Sequence, residues 1–588
     1  MNSLDKRWVV DYEFLADGNP PRPICYVAQN VDTGEIIRHW ITGKEASPEY
    51  PTDNDTLFVA YFASAELGCH ISLNFPRPAN VLDLYAEFRC TTNGLILPSG
   101  RGLVGAMNYY RLPGADAEYK DMMRERIMQG PPYNEEEQVH ILDYCQKDVE
   151  LTAKLFKHME GSIDLDRALL RGRYTWAVAM MEWTGVPLDL DALIILTREW
   201  DNIKSKLIEL VDQDYGVYEN GVFKSRKFLE YLQRNNIPWD LTESGLPKLD
   251  NEYMKEQAKT YPKLKPLQEL RYSLSQLRLA SIPVGHDGRN RTLLSPFQSK
   301  TGRNQPSSTR FIFGNAVWLR SLIKPREGMA LAYIDFEQQE IAIAAALSGD
   351  EALKQAYETG DPYVSFAKAA GKIPSDGNKN THSEIREKFK TCMLALNYGM
   401  SEQGFAKRSG LLLVEAKAMF KAHRQTYNRY WEYITNFADV GLLSGHVVTR
   451  YGWHCDTTNM TYRSLQNFPM QAHGADILRL ASILCLENGI QVVAPVHDAL
   501  LVEAPLSQIE HDVEVARFLM TKASEHVIGY PIRTDVKIIR YPDRYMDKRG
   551  SVMWNHVWNL LGSDKTPNIT PQQGKSDQEL SIKERRVL

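Results

Sequence analysis

Two apolar runs far apart in the chain each deliver a carboxylate, and this pairing restricts the fold more than any other feature. MALAYIDF reads as a strand ending in Asp335, and EQQEIAIAAALSGD continues as a helix immediately after it. Far downstream, QVVAPVHDALLVEA reads as two apolar strands joined at His497 and Asp498, which sets a second carboxylate on a hairpin turn. One Asp at a strand end is ordinarily a cap or a turn residue. Two of them within ~4 Å repel by roughly 1 kcal/mol in water and ~4 kcal/mol at an effective dielectric of about 20. A fold that clusters them normally does so around cations, and two divalent ions about 3.5 to 4 Å apart are the usual solution for in-line displacement at phosphorus.

The chain has 588 residues, enough for about four domains, and its 43% hydrophobic and 24% charged residues exclude a disordered or fibrous class. MNSLDKRWVVDYEFL carries acids where a secretory signal has a long apolar core, and no stretch approaches the ~18 apolar residues of a membrane span. A cytoplasmic protein is therefore expected, without membrane partners. The seven cysteines, none closer than 21 residues to the next, form neither a disulfide framework nor a CxxC metal site, which agrees with a reducing compartment. A net charge of -5 argues against a polyanionic partner, but residues 271–326 hold ten Lys and Arg and a single acid, Asp287. That local charge of +9 points to phosphate binding.

Residues 1–165 read as an α/β unit, with strands in WVVDYEF and DTLFVAYF and a helix over EEEQVHILDYCQKDVELTAKLFKHM. Residues 166–285 read as a mostly helical arm, in which Leu193, Leu196, Trp200, Ile203, Leu207 and Leu210 predict one continuous amphipathic helix. Strands and helices alternate from about 286 to 560, and the polar segment 563–588 is predicted to be disordered.

In HSEIREKFKTCMLALNYG, Arg386, Lys390, Leu394 and Tyr398 recur at steps of four and so share a helix face, with Gly399 placed to end the helix. With IDFEQQE before it and VHDALLVE after it, this segment resembles motifs A, B and C of the family A DNA polymerases, the relatives of bacterial DNA polymerase I, in the family's order. The resemblance extends to TGR, which would give Arg303 contact with the primer minor groove, and to RSLQNFPMQAHGADILRLA, in which Arg463, Asn467 and Gln471 would hold the template-primer end. It implies an α/β and α+β multidomain fold in which an RNase H-like exonuclease domain (1–165) precedes a right-hand polymerase. The hand would comprise a thumb (166–285), a palm in two parts (286–340 and 441–562) and fingers (341–440). Asp335 and Asp498 would bind two Mg²⁺, with Mn²⁺ as a substitute. Arg386 and Lys390 would neutralise the incoming triphosphate, Lys390 acting in catalysis; Tyr398 would stack on the templating base and Glu340 would block a ribose 2′-hydroxyl.

Three positions depart from the family pattern. Leu394 replaces an aromatic residue against the sugar, Ala499 replaces the Glu that often follows the motif C Asp, and Tyr363 stands where bacterial relatives often have His.

In the amino-terminal unit, Asp11 and Glu13 share a strand face, and Tyr144 and Asp148 share a helix face. Ahead of a polymerase, these pairs resemble the first and third motifs of a DEDD 3′–5′ proofreading exonuclease with two further Mg²⁺. For the second motif, Glu66 in AYFASAE matches, and Asp83 in VLDLYAEF competes with it. Short loops and a compact exonuclease domain are more similar to a phage replicative enzyme than to a bacterial repair polymerase. Primer-template DNA and dNTPs would then be the partners of a monomer, together with replication accessory proteins. No residue diagnoses or excludes 2-aminoadenine nucleotides as substrates. Two other readings are a single-subunit RNA polymerase, which shares the motif A Asp, the motif B Lys and the motif C HD, and an inactive DNA-binding relative. Glu340, TGR and the exonuclease motifs argue against the first, and the intact acid pair argues against the second.

Overall fold

The structure, a computed structural model, describes residues 4–114, 117–276, 282–397 and 399–562. Tyr398 and the segment 563–588 lie outside the described residues. The chain forms two compact units, one of Met1–Gly185, Leu293–Gln305 and Leu331–Ile538, the other of Val186–Thr292, Pro306–Ala330 and Ile539–Leu588.

The first unit begins with a five-stranded sheet: β1 (Lys6–Leu15), β2 (Arg22–Asn30), β3 (Ile36–Trp40), β4 (Thr56–Ala60) and β5 (Asn80–Asp83), in the order β3-β2-β1-β4-β5. β1 runs antiparallel to β2 and parallel to β4. Both faces are covered, which explains the near-continuous apolar character of β1. Trp8, Val10 and Tyr12 enter one core with Leu67 and Cys69 of α1 (Ser64–Ser72), whereas Val9 enters the other with Ile141, Tyr144 and Cys145. The period of two therefore turns Asp11 and Glu13 toward the helix that carries Tyr144. The remaining helices of this part are α2 (Leu84–Thr92), α3 (Leu103–Tyr109), α4 (Ala117–Met128), α5 (Glu135–Met159) and α6 (Leu165–Thr184). An Asn134–Glu137 capping box starts α5. α6 crosses β5 at Gly172, where a Cβ would lie 1.9 Å from the Val81 carbonyl oxygen, so only glycine permits the approach.

The same unit contains all but the outer ends of a four-stranded sheet in the order Val492–Val496, Ala499–Pro505, Met329–Phe336, Thr534–Arg540. The helix Tyr462–Glu487 is buried over most of its circumference and packs on Ile509–Ile528. Between strand and long helix run the helices Gln339–Ser348, Pro362–Ala369 and Ser383–Asn397, among others.

Three sequence expectations are altered. The expected arm is divided, because α6 packs on β5 and α1 of the first unit while Val186–Thr292 belongs to the second. The expected single helix is two, Leu190–Arg198 and Trp200–Asp212, with Glu199 between them at φ -90°, ψ 3°. Leu193, Leu196, Ile203 and Leu207 are buried and Leu210 is exposed, while Ile208 and Val211 are buried instead, so the buried face drifts off the expected stripe in the last turn. The basic run is also less free than its local composition implies. Arg291 pairs with Asp287 at 2.6 Å, Arg320 with Asp547 at 3.3 Å and Lys324 with Asp189 at 3.6 Å, two of these acids coming from outside the run. Among the described residues no helix is long and apolar enough to cross a membrane.

Candidate active sites

The strands Val492–Val496 and Ala499–Pro505 form an antiparallel hairpin with Val496 opposite Ala499, leaving His497 and Asp498 as a two-residue turn. His497 has φ 59°, the left-handed geometry that lets so short a turn close. The Phe336 amide donates to the Asp498 carbonyl at 3.2 Å, which locks the turn beside the end of Met329–Phe336. Asp335 and Asp498 are thereby neighbours. Burial first, then Asp498, and then Asp535 and Glu337, push the Asp335 carboxyl up to about 8. Its Oδ1 is buried and has no hydrogen-bond partner. Buried acceptors are normally satisfied. A hard carboxylate pair with an orphaned oxygen fits Mg²⁺.

Glu340 lies in the first turn of Gln339–Ser348, and the Gln471 amide of the long helix donates to its carboxylate. On that helix Arg463 is exposed, while Asn467 and Gln471 are half-buried. A Cβ on Gly474 would lie 2.8 Å from Gln339 Oε1 and 3.5 Å from the Arg303 guanidinium, so the glycine admits both side chains against the helix. Arg303 thus sits beside the face that carries Gln471. The loop before it is held from two sides. Arg479 donates to the Gly302 carbonyl at 2.6 Å, and from α2 Arg89 donates to the Phe297 and Gln298 carbonyls at 3.0 and 2.6 Å. Asn93, just beyond α2, donates to the Lys300 and His454 carbonyls at 2.7 and 2.8 Å. Nothing local in the sequence marks Arg89 or Asn93.

Arg386 on Ser383–Asn397 donates to Asp361 at 2.5 Å and to Glu387 at 2.7 Å, and its guanidinium lies 5.3 Å from the centre of the buried Tyr363 ring. Asp361 caps Pro362–Ala369, so one acid both starts that helix and holds Arg386. Tyr363 is therefore a support for Arg386, and burial raises its hydroxyl to about 12. Lys390 and Leu394 are half-buried on the same helix, and Lys390 has no ion-pair partner among the described residues. The fourth residue of that face, Tyr398, lies outside the described residues.

The sheet of the amino-terminal part brings together a second group of acids. Asp11, Glu13 and Cys145 offer ligand atoms within 4.8 Å of one another. Burial, then Asp148, raises the Asp11 carboxyl to about 7, and burial followed by Asp11 holds Glu13 well above the carboxylate range. The buried Cys145 thiol donates to the Asp11 carbonyl at 3.3 Å and to its carboxylate at 3.5 Å. Glu66 points into this cluster from α1, is 4% exposed, and has an Oε2 without a partner; burial and then Asp11 push its carboxyl far up. Asp83 is engaged elsewhere. Its carboxylate accepts from the Tyr85 and Phe62 amides, both at 3.0 Å, and from Thr175 at 3.3 Å, as the cap of α2. Of the two competing acids, Glu66 is the one with ligand capacity to spare. Tyr144 is buried beside Asp148, Glu13 and Asp11, and Asp148 itself is held by Lys120 of α4 at 2.8 Å. Lys120 and Cys145 were not singled out by the sequence pattern. These carboxylates, too, are hard ligands suited to Mg²⁺.

Residues 302–541, which include Asp335 and Asp498, match the family model for DNA polymerase family A. DNA polymerase I of Caldicellulosiruptor bescii is 26% identical over 388 residues, covering 61% of this chain and 45% of the relative. DNA polymerase I of Thermus aquaticus is 24% identical over 436 residues, covering 66% and 50%. The chain spans about half the length of these curated relatives or less. The solved POL domain of Pol1 from M. smegmatis, in complex with DNA primer-template and dNTP, shares the fold with a TM-score of 0.72 at 19% identity, covering 91% of this chain and 96% of that one. The segment that holds the acid pair is thus similar to the family A DNA polymerases.

Proposed function

We propose that the chain is a DNA-directed DNA polymerase that extends a primer by template-directed dNTP addition and proofreads with a separate 3′–5′ exonuclease site. The observation that carries the reading is Asp335, a half-buried carboxyl driven up to about 8 by burial and by Asp498, with one buried oxygen left without a partner. No packing role requires such a pair, and removing either acid relieves an unfavourable charge. Two Mg²⁺ held by Asp335 and Asp498 would supply activation of the primer 3′ oxygen and charge stabilisation of the departing pyrophosphate, and Mn²⁺ would serve in their place.

The remaining work belongs to the chain's own side chains. Arg386 presents a planar fork and Lys390 a mobile point charge to the triphosphate, each matching a different part of its charge. Arg386 is preorganised for this by Asp361 and Tyr363. Glu340, fixed by Gln471, fills the volume a ribose 2′-hydroxyl would enter, and discrimination needs only that it stay there. Arg303, Arg463, Asn467 and Gln471 would line the primer-template path. In the exonuclease site Asp11, Glu13, Glu66 and Asp148 would hold two cations, with Tyr144 beside Asp148 to orient the attacking water.

The reading extends to a phage-type replicative enzyme that acts as a monomer in the host cytoplasm with replication accessory proteins. Primer extension with labelled DNA, Mg²⁺ and separate dNTP and rNTP pools tests it, with the 2-aminoadenine nucleotide run beside dATP. Extension with dNTPs alone supports it. Extension with rNTPs alone indicates an RNA polymerase, and no extension despite DNA binding indicates an inactive relative.

A further inference from the structure

The acid cluster of the amino-terminal sheet contains its own cation. On α4, Lys120, Met123 and Ile127 fall at spacings of three and four and so share a face. Met123 and Ile127 are buried in the core that includes Val9 and Tyr144, which fixes that face toward the sheet and points Lys120 into the carboxylates. Its ammonium reaches both oxygens of Asp148, at 2.8 and 3.0 Å. The Asp148 side chain is only 13% exposed, so this is not a solvated surface pair of the kind that contributes almost nothing. The same charge acts on Asp11 and Glu13, which it holds lower than burial alone would. Lysine suits a contact that must open, because its charge rides on a flexible four-carbon stem, unlike a bidentate arginine.

We propose that Lys120 is a resident counter-ion of this site, occupying the coordinating edge of Asp148 until a divalent cation displaces it. It thereby sets the metal concentration at which the site works. The proposal rests on the exonuclease reading of Asp11, Glu13, Glu66 and Asp148. Lys120 is a positioning residue here, acting through its contact with Asp148.

The test uses the full chain carrying Asp335→Asn and Asp498→Asn, so that cation binding reports the amino-terminal site. Mn²⁺ binding is followed by electron paramagnetic resonance, and the Mg²⁺ dependence of single-stranded DNA hydrolysis is measured in parallel. Lys120→Met removes the charge and keeps the stem. It is expected to bind Mn²⁺ on the order of ten-fold more tightly and to reach half-maximal hydrolysis at correspondingly lower Mg²⁺. Lys120→Arg keeps the charge and is expected to bind no more tightly than the parent. Unchanged or weaker Mn²⁺ binding by Lys120→Met, in a chain whose unfolding transition matches the parent's, overturns the proposal. Failure of the underlying reading looks different: in that case Asp11→Asn with Glu13→Gln would leave Mn²⁺ binding and hydrolysis intact.

Discussion

Replacing Asp498 by Asn should make the metal-free protein relatively more stable as the pH rises. Asp335 is driven up to about 8, chiefly by burial and secondly by Asp498. A free aspartate titrates near 3.9, so between about pH 4 and pH 8 the folded chain keeps a proton that the unfolded chain has released. Stability therefore falls as pH rises through that window and levels off above the folded value. At about 1.4 kcal/mol per pH unit the full penalty has a ceiling of ~5 kcal/mol, and partial solvent access to Asp335 lowers it to roughly 2–4 kcal/mol. Asn at 498 removes the repulsion and leaves the burial, so it recovers only part. Two carboxylates ~4 Å apart at effective dielectrics between about 80 and 20 account for ~1–4 kcal/mol. Below pH 5 the protonated Asp335 has no charge for Asp498 to repel. Urea unfolding in EDTA, read by tryptophan fluorescence at pH 5 and 8.5, should show the difference between Asp498→Asn and the unsubstituted chain moving in the variant's favour by about 1–3 kcal/mol. Saturating Mg²⁺ at pH 8.5 should stabilise the unsubstituted chain more than the variant. A difference that is the same at both pH values would refute a repulsive carboxylate pair.

Four other perturbations separate the roles of the sites. Glu340→Ala should raise ribonucleotide use, read as the dNTP-to-rNTP ratio of kcat/KM, by roughly a hundred-fold or ~2.7 kcal/mol, and far more than Leu394→Ala; an unchanged ratio would remove Glu340 as the gate. Leu394→Tyr should alter tolerance of 3′-deoxy sugars without creating ribonucleotide use, because a ring packs flat on the sugar but leaves Glu340 in place. Asp11→Ala with Glu13→Ala should eliminate removal of a mismatched primer end while leaving nucleotide addition within about two-fold, and loss of both activities in a folded chain would contradict separate sites. Gly172→Ala should destabilise the first unit by ~3 kcal/mol or more in thermal unfolding, since the new methyl meets the Val81 backbone; a neutral substitution would mean that α6 does not cross β5 so closely.

The strands and the acids they carry were legible because both signals are local. Apolar runs of strand length ending in Asp335 and turning at Asp498 need no knowledge of the rest of the chain, and neither does the period of two that keeps Asp11 and Glu13 on one face. What was hidden is long-range. Asp189 and Asp547 neutralise Lys324 and Arg320 from far away in sequence, so a window of charge overstated the free positive surface. Arg89 and Asn93 steady the loop before Arg303 across more than two hundred positions, and only the packing of α2 reveals it. The ambiguity between Glu66 and Asp83 was likewise one of geometry, since hydrogen bonding to the cap of α2 occupies Asp83 and leaves Glu66 an unpartnered oxygen. The break at Glu199 leaves no mark in the sequence because the apolar spacing continues through it.

Single-nucleotide primer extension, paired with DNA binding by fluorescence anisotropy, addresses the Asp335–Asp498 pair most directly. The unsubstituted chain should add the complementary dNTP in Mg²⁺ or Mn²⁺. Asp335→Ala and Asp498→Ala should each lose at least about a thousand-fold in rate, ~4 kcal/mol, while binding primer-template within a few-fold, because duplex affinity comes from basic contacts and the acids act on the cations. Substantial extension by either variant, or DNA binding lost in step with the rate, would contradict a two-carboxylate polymerase centre.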